Sequence, residues 1–256
     1  MTRGTVSLVT TLAFALACGG GEQGGAAGGE GTGGQAMASG PMGTAAVSGS
    51  VQFTGSAPTN PTIDMSEEPK CRAEYQTAPR QETVTVNPNG TLANVFVYVK
   101  EGLPAGATYT PPATPVVIDQ DACRYIPHVL GVMVGQNLEI RNSDSLMHNI
   151  KAQGQQNRGF NITQPAAGMS TTRTFDRPEV MVSLECNVHG WMNAYIGVLP
   201  HPFYTVTGSD GSFSITGLPA GTYVIESWHE RYGTRLDTVT VADGATATTT
   251  FSYAAR

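Results

Sequence analysis

Charge is scarce in this 256-residue chain: Asp, Glu, Lys and Arg make up 13% of it, against about 25% in an average soluble protein. The charges present lean acidic, 14 basic to 20 acidic, for a formal net charge of −6. No Lys/Arg cluster is available to release counterions from a phosphate backbone, so nucleic acid is not an expected partner. Aromatic residues are few at 7%, histidines number five with no H-x-H pair, and cysteines number four. No stretch keeps an apolar 3.6-residue period over three turns, which argues against a helical bundle. What is plentiful is Gly (31) and Pro (16), a mixture that suits turn-rich β-structure and a linker. The length allows one large or two small domains.

At the start, Arg3 supplies a positive charge and Val6 to Ala17 form an apolar run too short to span a bilayer, which reads as an export signal. The stretch Phe14-Ala15-Leu16-Ala17-Cys18 resembles a bacterial lipoprotein signal, although such signals usually carry Leu at the place of Ala15. The resemblance implies cleavage before Cys18, which becomes residue one and carries lipid; an ordinary cleaved signal is the alternative. Gly19 stands where Asp would mark retention in the inner membrane, a weak hint of outer-membrane sorting that leaves the choice of membrane open. Residues 19–45 lack hydrophobic period and read as a flexible Gly-rich tether, whose reach grows as roughly 5–6 Å × √n.

Beyond residue 45 short apolar–polar alternations are broken by Gly, Pro, Asn and Asp, the pattern of an all-β chain built as β-sandwiches. Strands are predicted at 46–54, 82–86, 92–100, 115–119, 130–134, 137–142, 147–152, 171–175, 179–185 and 194–199. A second series surrounds the Asp210-Gly211 turn and continues at 222–228, 235–241 and 246–253. The expected organisation is a signal at 1–18, a linker at 19–45, a first sandwich at 46–200 with residues 55–82 as a Pro-rich loop upon it, and a smaller one at 201–256.

The chemistry concentrates in Glu185-Cys186-Asn187-Val188-His189-Gly190-Trp191-Met192, a C-x-x-H-x-x-M run between two predicted strands. Thiolate, imidazole and thioether on one short loop are three of the four ligands of a type 1 copper site, which takes a trigonal His₂Cys set and a weak axial Met. The second imidazole is offered by His148, which follows a predicted strand in GQNLEIRNSDSLMHNIKA. This pattern resembles the cupredoxin family over about residues 88–199: Asn142, Asp144, His148 and Asn149 match its first-histidine segment, and the spacing of Cys186, His189 and Met192 matches its pseudoazurin and amicyanin branches. The resemblance implies a Greek-key sandwich, one copper held by His148, Cys186, His189 and Met192, and Asn149 supporting the thiolate. It also implies that His189 lies near the surface as an electron exit. Trp191 and Met147 flank the ligands and are expected to keep the metal dry.

With Cys18 assigned to lipid and Cys186 to copper, Cys71 and Cys123 remain, and in an oxidising compartment they are expected to form a disulfide; a second metal site with His128 is the alternative. In the last segment, Asp210 through Tyr223 (DGSFSITGLPAGTY) resembles the regulatory module of carboxypeptidases, a transthyretin-like sandwich. That resemblance names no ligand. His201, His229, Glu226 and Glu230 there could make a second metal site or a contact with the copper domain.

These readings imply an envelope lipoprotein that carries single electrons to an unidentified redox protein, a basic one if the acidic balance matters. They do not imply an enzyme. Multicopper oxidases need eight histidines in H-x-H pairs, a dinuclear centre needs a second Cys in the loop, and Met192 closes the remaining position. The alternative is a lipoprotein that handles copper or presents a binding surface, carbohydrate included.

Overall fold

The structure, a computed structural model, describes residues 40–255. The signal, Cys18 and most of the tether lie outside those residues. The described chain is all-β apart from one five-residue helix.

Sixteen strands make four sheets. In chain order they are β1 (Ala45–Thr54), β2 (Phe96–Glu101), β3 (Val116–Asp121), β4 (Arg124–Ile126), β5 (Val129–Met133), β6 (Leu138–Asn142), β7 (His148–Gln153) and β8 (Phe160–Gln164). There follow β9 (Met169–Arg173), β10 (Glu179–Glu185), β11 (Asn193–Leu199), β12 (Tyr204–Val206), β13 (Ser212–Leu218), β14 (Gly221–His229), β15 (Gly233–Val241) and β16 (Thr246–Ala254). The helix α1 (Pro69–Ala73) precedes β2.

A five-stranded sheet in the order β5-β11-β10-β7-β8 and a four-stranded sheet in the order β4-β3-β6-β9 enclose one core. It is filled by the inward positions of alternating strands, such as Leu138 and Ile140 of β6, Val182 and Leu184 of β10, and Ala194, Ile196 and Val198 of β11. Sheets of order β13-β1-β16 and β12-β2-β14-β15 enclose a second core, with Val47, Val97, Phe213, Tyr223 and Tyr253 among its members.

Strand pairing crosses the boundary expected at residue 200. β1 sits between β13 and β16, antiparallel to the first and parallel to the second, while β2 sits between β12 and β14. Strands from the two ends of the chain thus complete one sandwich, and β3–β11 form the other. Each sheet of the second sandwich would lose an interior strand if cut at 200, exposing ladder N–H and C=O groups that need partners. The two bodies meet closely where β5 and β11 pair Gly131 with Gly197. A Cβ on Gly197 would lie 2.4 Å from the Phe96 ring, and one on Gly131 2.2 Å from the Tyr204 ring, so this flat glycine pair lets those aromatics rest on the sheet.

Most predicted strands are present within a few residues. Segment 82–86 is not one: only Val86 bridges to Leu92, across an Asn-Pro-Asn-Gly turn. The edge strand β8 lies outside the predicted strands: Phe160-Asn161-Ile162-Thr163 does alternate apolar and polar, but the run is short and of its five residues only Gln164 is buried.

Candidate metal centre

Two loops at one end of the first sandwich carry the candidate ligands. Between β6 and β7, residues 143–147 turn the chain so that His148 begins β7 facing inward. Between β10 and β11, the run Cys186–Met192 folds on itself: the Met192 N–H donates to the His189 carbonyl (2.9 Å) and the Cys186 N–H to the Met192 carbonyl (3.2 Å). The Asn149 side chain ties the loops together by accepting the Asn187 N–H at 2.9 Å. Asn149, expected to support the thiolate, therefore pins the residue next to it.

The candidate ligand atoms converge. His148 Nδ1 and His189 Nδ1 are 2.9 Å apart, and Cys186 Sγ is 3.9 Å from His189 Nδ1. All three residues are buried, and their ligand atoms lie within 4.8 Å of one another. Met192 is buried in the same core cluster as Cys186. One sulfur and two imidazole nitrogens, with Met192 in the same buried cluster, form a soft donor set that suits copper.

Electrostatics prepare the thiolate. Burial opposes ionisation of Cys186, but hydrogen bonds from His148 and His189 and the backbone N–H groups of His189 and Asn149 outweigh it, bringing the thiol down to about 5. Burial likewise opposes charge on His148, yet Asp144 and Cys186 raise it to about 9. His148 Nε2 donates to Asp144 Oδ2 at 2.7 Å. A hydrogen on Nε2 leaves Nδ1 free to act as a metal ligand once that nitrogen gives up its proton.

Asp144 does more than orient an imidazole. Its carboxylate also accepts the N–H groups of Ala122 and Cys123, each at 2.8 Å. Those residues form the two-residue turn between β3 and β4, and both have positive φ (49° and 55°), a conformation that a primed hairpin turn requires and that non-glycine residues resist. Burial opposes ionisation of Asp144, but the bonds from His148 and these two N–H groups hold its carboxyl below the usual range. Its place four residues before His148 was visible in the sequence; its hold on the distant turn was not.

Two expectations about the surroundings fail. His189 is buried, at 1% exposure, instead of reaching the surface. Segment 62–75 lies across it: Cys71 Sγ is 3.9 Å and Glu68 Oε1 3.8 Å from His189 Nε2. Met147, expected to help keep the metal dry, is 46% exposed; Trp191 packs on the His189 ring at 5.1 Å between centroids. Sequence offered no signal for Glu68, which meets the site only through the tertiary fold.

Cys71 and Cys123 form a disulfide, Cα–Cα 5.6 Å, so the alternative metal site with His128 is closed. His128 instead donates Nδ1–H to the Asn193 carbonyl (3.1 Å) and Nε2–H to Glu230 (2.5 Å). Among the described residues the other gathering of possible ligands, Cys123 with Asp144 and His148, has its sulfur engaged in that disulfide. His201 and His229 do not converge with Glu226 and Glu230: each ring accepts a nearby backbone N–H, and Glu226 binds Tyr98 and Lys100. Burial pushes both histidines down to about 4.

No family model and no curated protein matches the chain. Solved structures similar to it include a Cu-containing nitrite reductase from Thermus scotoductus SA-01, 23% identical over 38% of this chain, with TM-score 0.32. This chain spans a quarter of the length of that reductase. A purple cupredoxin from Nitrosopumilus maritimus is 22% identical over 32% of this chain and 98% of its own, TM-score 0.28. A mutant of amicyanin in its Cu(I) form is 19% identical over 33% of this chain and 81% of its own, TM-score 0.30. At these identities and scores the likeness bears on neither ligand nor role.

Proposed function

We propose that His148, Cys186, His189 and Met192 bind one copper ion of the type 1 kind, and that the protein is a one-electron carrier of the bacterial envelope, tethered through lipid on Cys18. The observation that carries this reading is the buried convergence of two imidazole Nδ1 atoms and one thiol sulfur at the end of a β-sandwich. A bound copper supplies reversible one-electron chemistry at this donor set.

The chain's own residues supply the rest. Asp144 fixes the ring of His148, and Asn149 fixes the main chain beside Cys186. Ligands held between strands resist rearrangement when the charge at their centre changes, which favours electron exchange over release. The sealing of His189 favours retention over delivery for the same reason. The role is non-enzymatic, and the partner is another redox protein.

Voltammetry of the copper-loaded protein tests the carrier role. A reversible one-electron wave, with the metal retained through repeated cycles, is expected. Loss of copper on each reduction would favour the copper-handling alternative.

A further inference from the structure

Residues 61–81 form a loop closed at its base, where the Ile63 N–H donates to the Pro79 carbonyl (2.8 Å) and the Gln81 N–H to the Pro61 carbonyl (2.9 Å). The loop has its own small core of Ile63, Met65, Cys71 and Cys123, against which Tyr75, Leu146 and Trp191 pack. Helix α1 turns Cys71 inward, fully buried, and the Tyr75 hydroxyl donates to the Ala122 carbonyl at 2.6 Å. This segment is therefore seated firmly on the metal-binding end of the sandwich.

The cystine touches both ligand loops. On one side Cys71 Sγ lies 3.9 Å from Nε2 of His189, with Glu68 at 3.8 Å from the same atom. On the other, the Cys123 N–H binds the Asp144 carboxylate, which holds His148, and the Cys123 carbonyl accepts the Trp191 Nε1–H at 3.0 Å. Trp191 in turn packs on His189. The two imidazoles thus meet one covalent brace from outside as well as one another from inside.

We propose that the Cys71–Cys123 cystine and the segment it straps down form a positioning lid for the metal centre, sealing the outer edge of His189 and linking the loops that carry both histidines. The proposal rests on the assignment of His148 and His189 as ligands, but its seal is a property of the metal-free chain. Exogenous ligands then cannot reach the Nε2 edge of His189.

The test uses the full-length protein, metal-free, treated with diethyl pyrocarbonate, which acylates accessible neutral imidazoles, with each histidine followed by mass spectrometry. His189 should react slowly in the unaltered protein and at least tenfold faster in the Cys71→Ser/Cys123→Ser variant. The buried His201 and His229 should stay protected in both and so report that the fold is intact. Rapid reaction of His189 in the unaltered protein, or an unchanged rate in the folded variant, overturns the proposal. Should His201 and His229 also become reactive, the Tyr75→Phe variant, which loosens the lid without cutting the cystine, serves instead: a threefold or greater increase at His189 is expected, and no increase refutes the lid. Extraction of Cu(I) by a chelator should accelerate at least tenfold in the loosened protein. A failure of the unaltered protein to show any thiolate-to-copper absorption would sink the copper reading and leave the acylation result standing.

Discussion

Replacing Asp144 with Asn should destabilise the protein and weaken metal binding together. The carboxylate accepts three hydrogens, from Ala122 N, Cys123 N and His148 Nε2. The amide of Asn offers one oxygen in place of two, so it retains the Ala122 bond and presents an NH₂ donor to the other two groups. Hydrogen bonds to charged groups contribute about 1.5–3 kcal/mol each, and a buried donor left facing another donor incurs its whole desolvation penalty. Without the clamp, the positive-φ conformations of Ala122 and Cys123, roughly 1–2 kcal/mol per residue, are less well held. A loss of about 3–5 kcal/mol is expected, which at a urea m-value of about 2–3 kcal/mol/M moves the unfolding midpoint down by about 1–2.5 M. His148 would also accept from the new NH₂ group at Nε2 and place its hydrogen on Nδ1, facing the metal. Copper affinity should then fall about 10- to 100-fold, the usual effect of losing the group that orients a ligand histidine. Urea unfolding of the metal-free protein and a copper competition titration measure the two effects. A midpoint within about 0.3 M of the parent and an unchanged affinity would refute the clamp.

Three further outcomes follow from the same physics. Ala122→Gly relieves a positive φ and should raise stability by roughly 0.5–1 kcal/mol in the same urea assay. Gly197→Ala places a methyl against the Phe96 ring and should cost about 1–3 kcal/mol, with part of the loss restored when Phe96→Leu is added. His229, pushed by burial to about 4 from an ordinary value near 6.5, stays neutral in the fold while the unfolded chain takes up a proton. Its contribution therefore falls as pH drops from about 6.5 toward 4, by up to about 3 kcal/mol, and the His229→Gln variant should lose less stability than the parent between pH 7 and 4.5 by thermal melting.

The candidate ligand loop was legible because its chemistry is local: Cys186, His189 and Met192 are spaced by the turn that joins β10 to β11, and strand alternation on either side marks where that turn must be. His148 was legible from its own segment, after the alternating residues of β6. Cysteine counting led to the Cys71–Cys123 pairing, since only two cysteines were left for an oxidising compartment. Contacts between distant segments were not legible. β1 reads as an ordinary alternating strand, and nothing in Ala45–Thr54 says that its partners are β13 and β16 near the other end of the chain. The lid failed to announce itself for a related reason: residues 55–82 are polar and Pro-rich, as a surface loop would be, while the apolar side chains that seat it, Ile63 and Met65, are too few to establish a period. The burial of His189 follows from that lid and so was missed with it.

The central claim is that Cys186 and two imidazoles hold copper, and the visible and electron-spin-resonance spectra of the Cu(II)-loaded protein test it most directly. An intense thiolate-to-copper band with narrow copper hyperfine splitting, abolished in the Cys186→Ser variant, is the predicted result. A pale spectrum with wide splitting, the same in the parent and in that variant, would contradict the assignment.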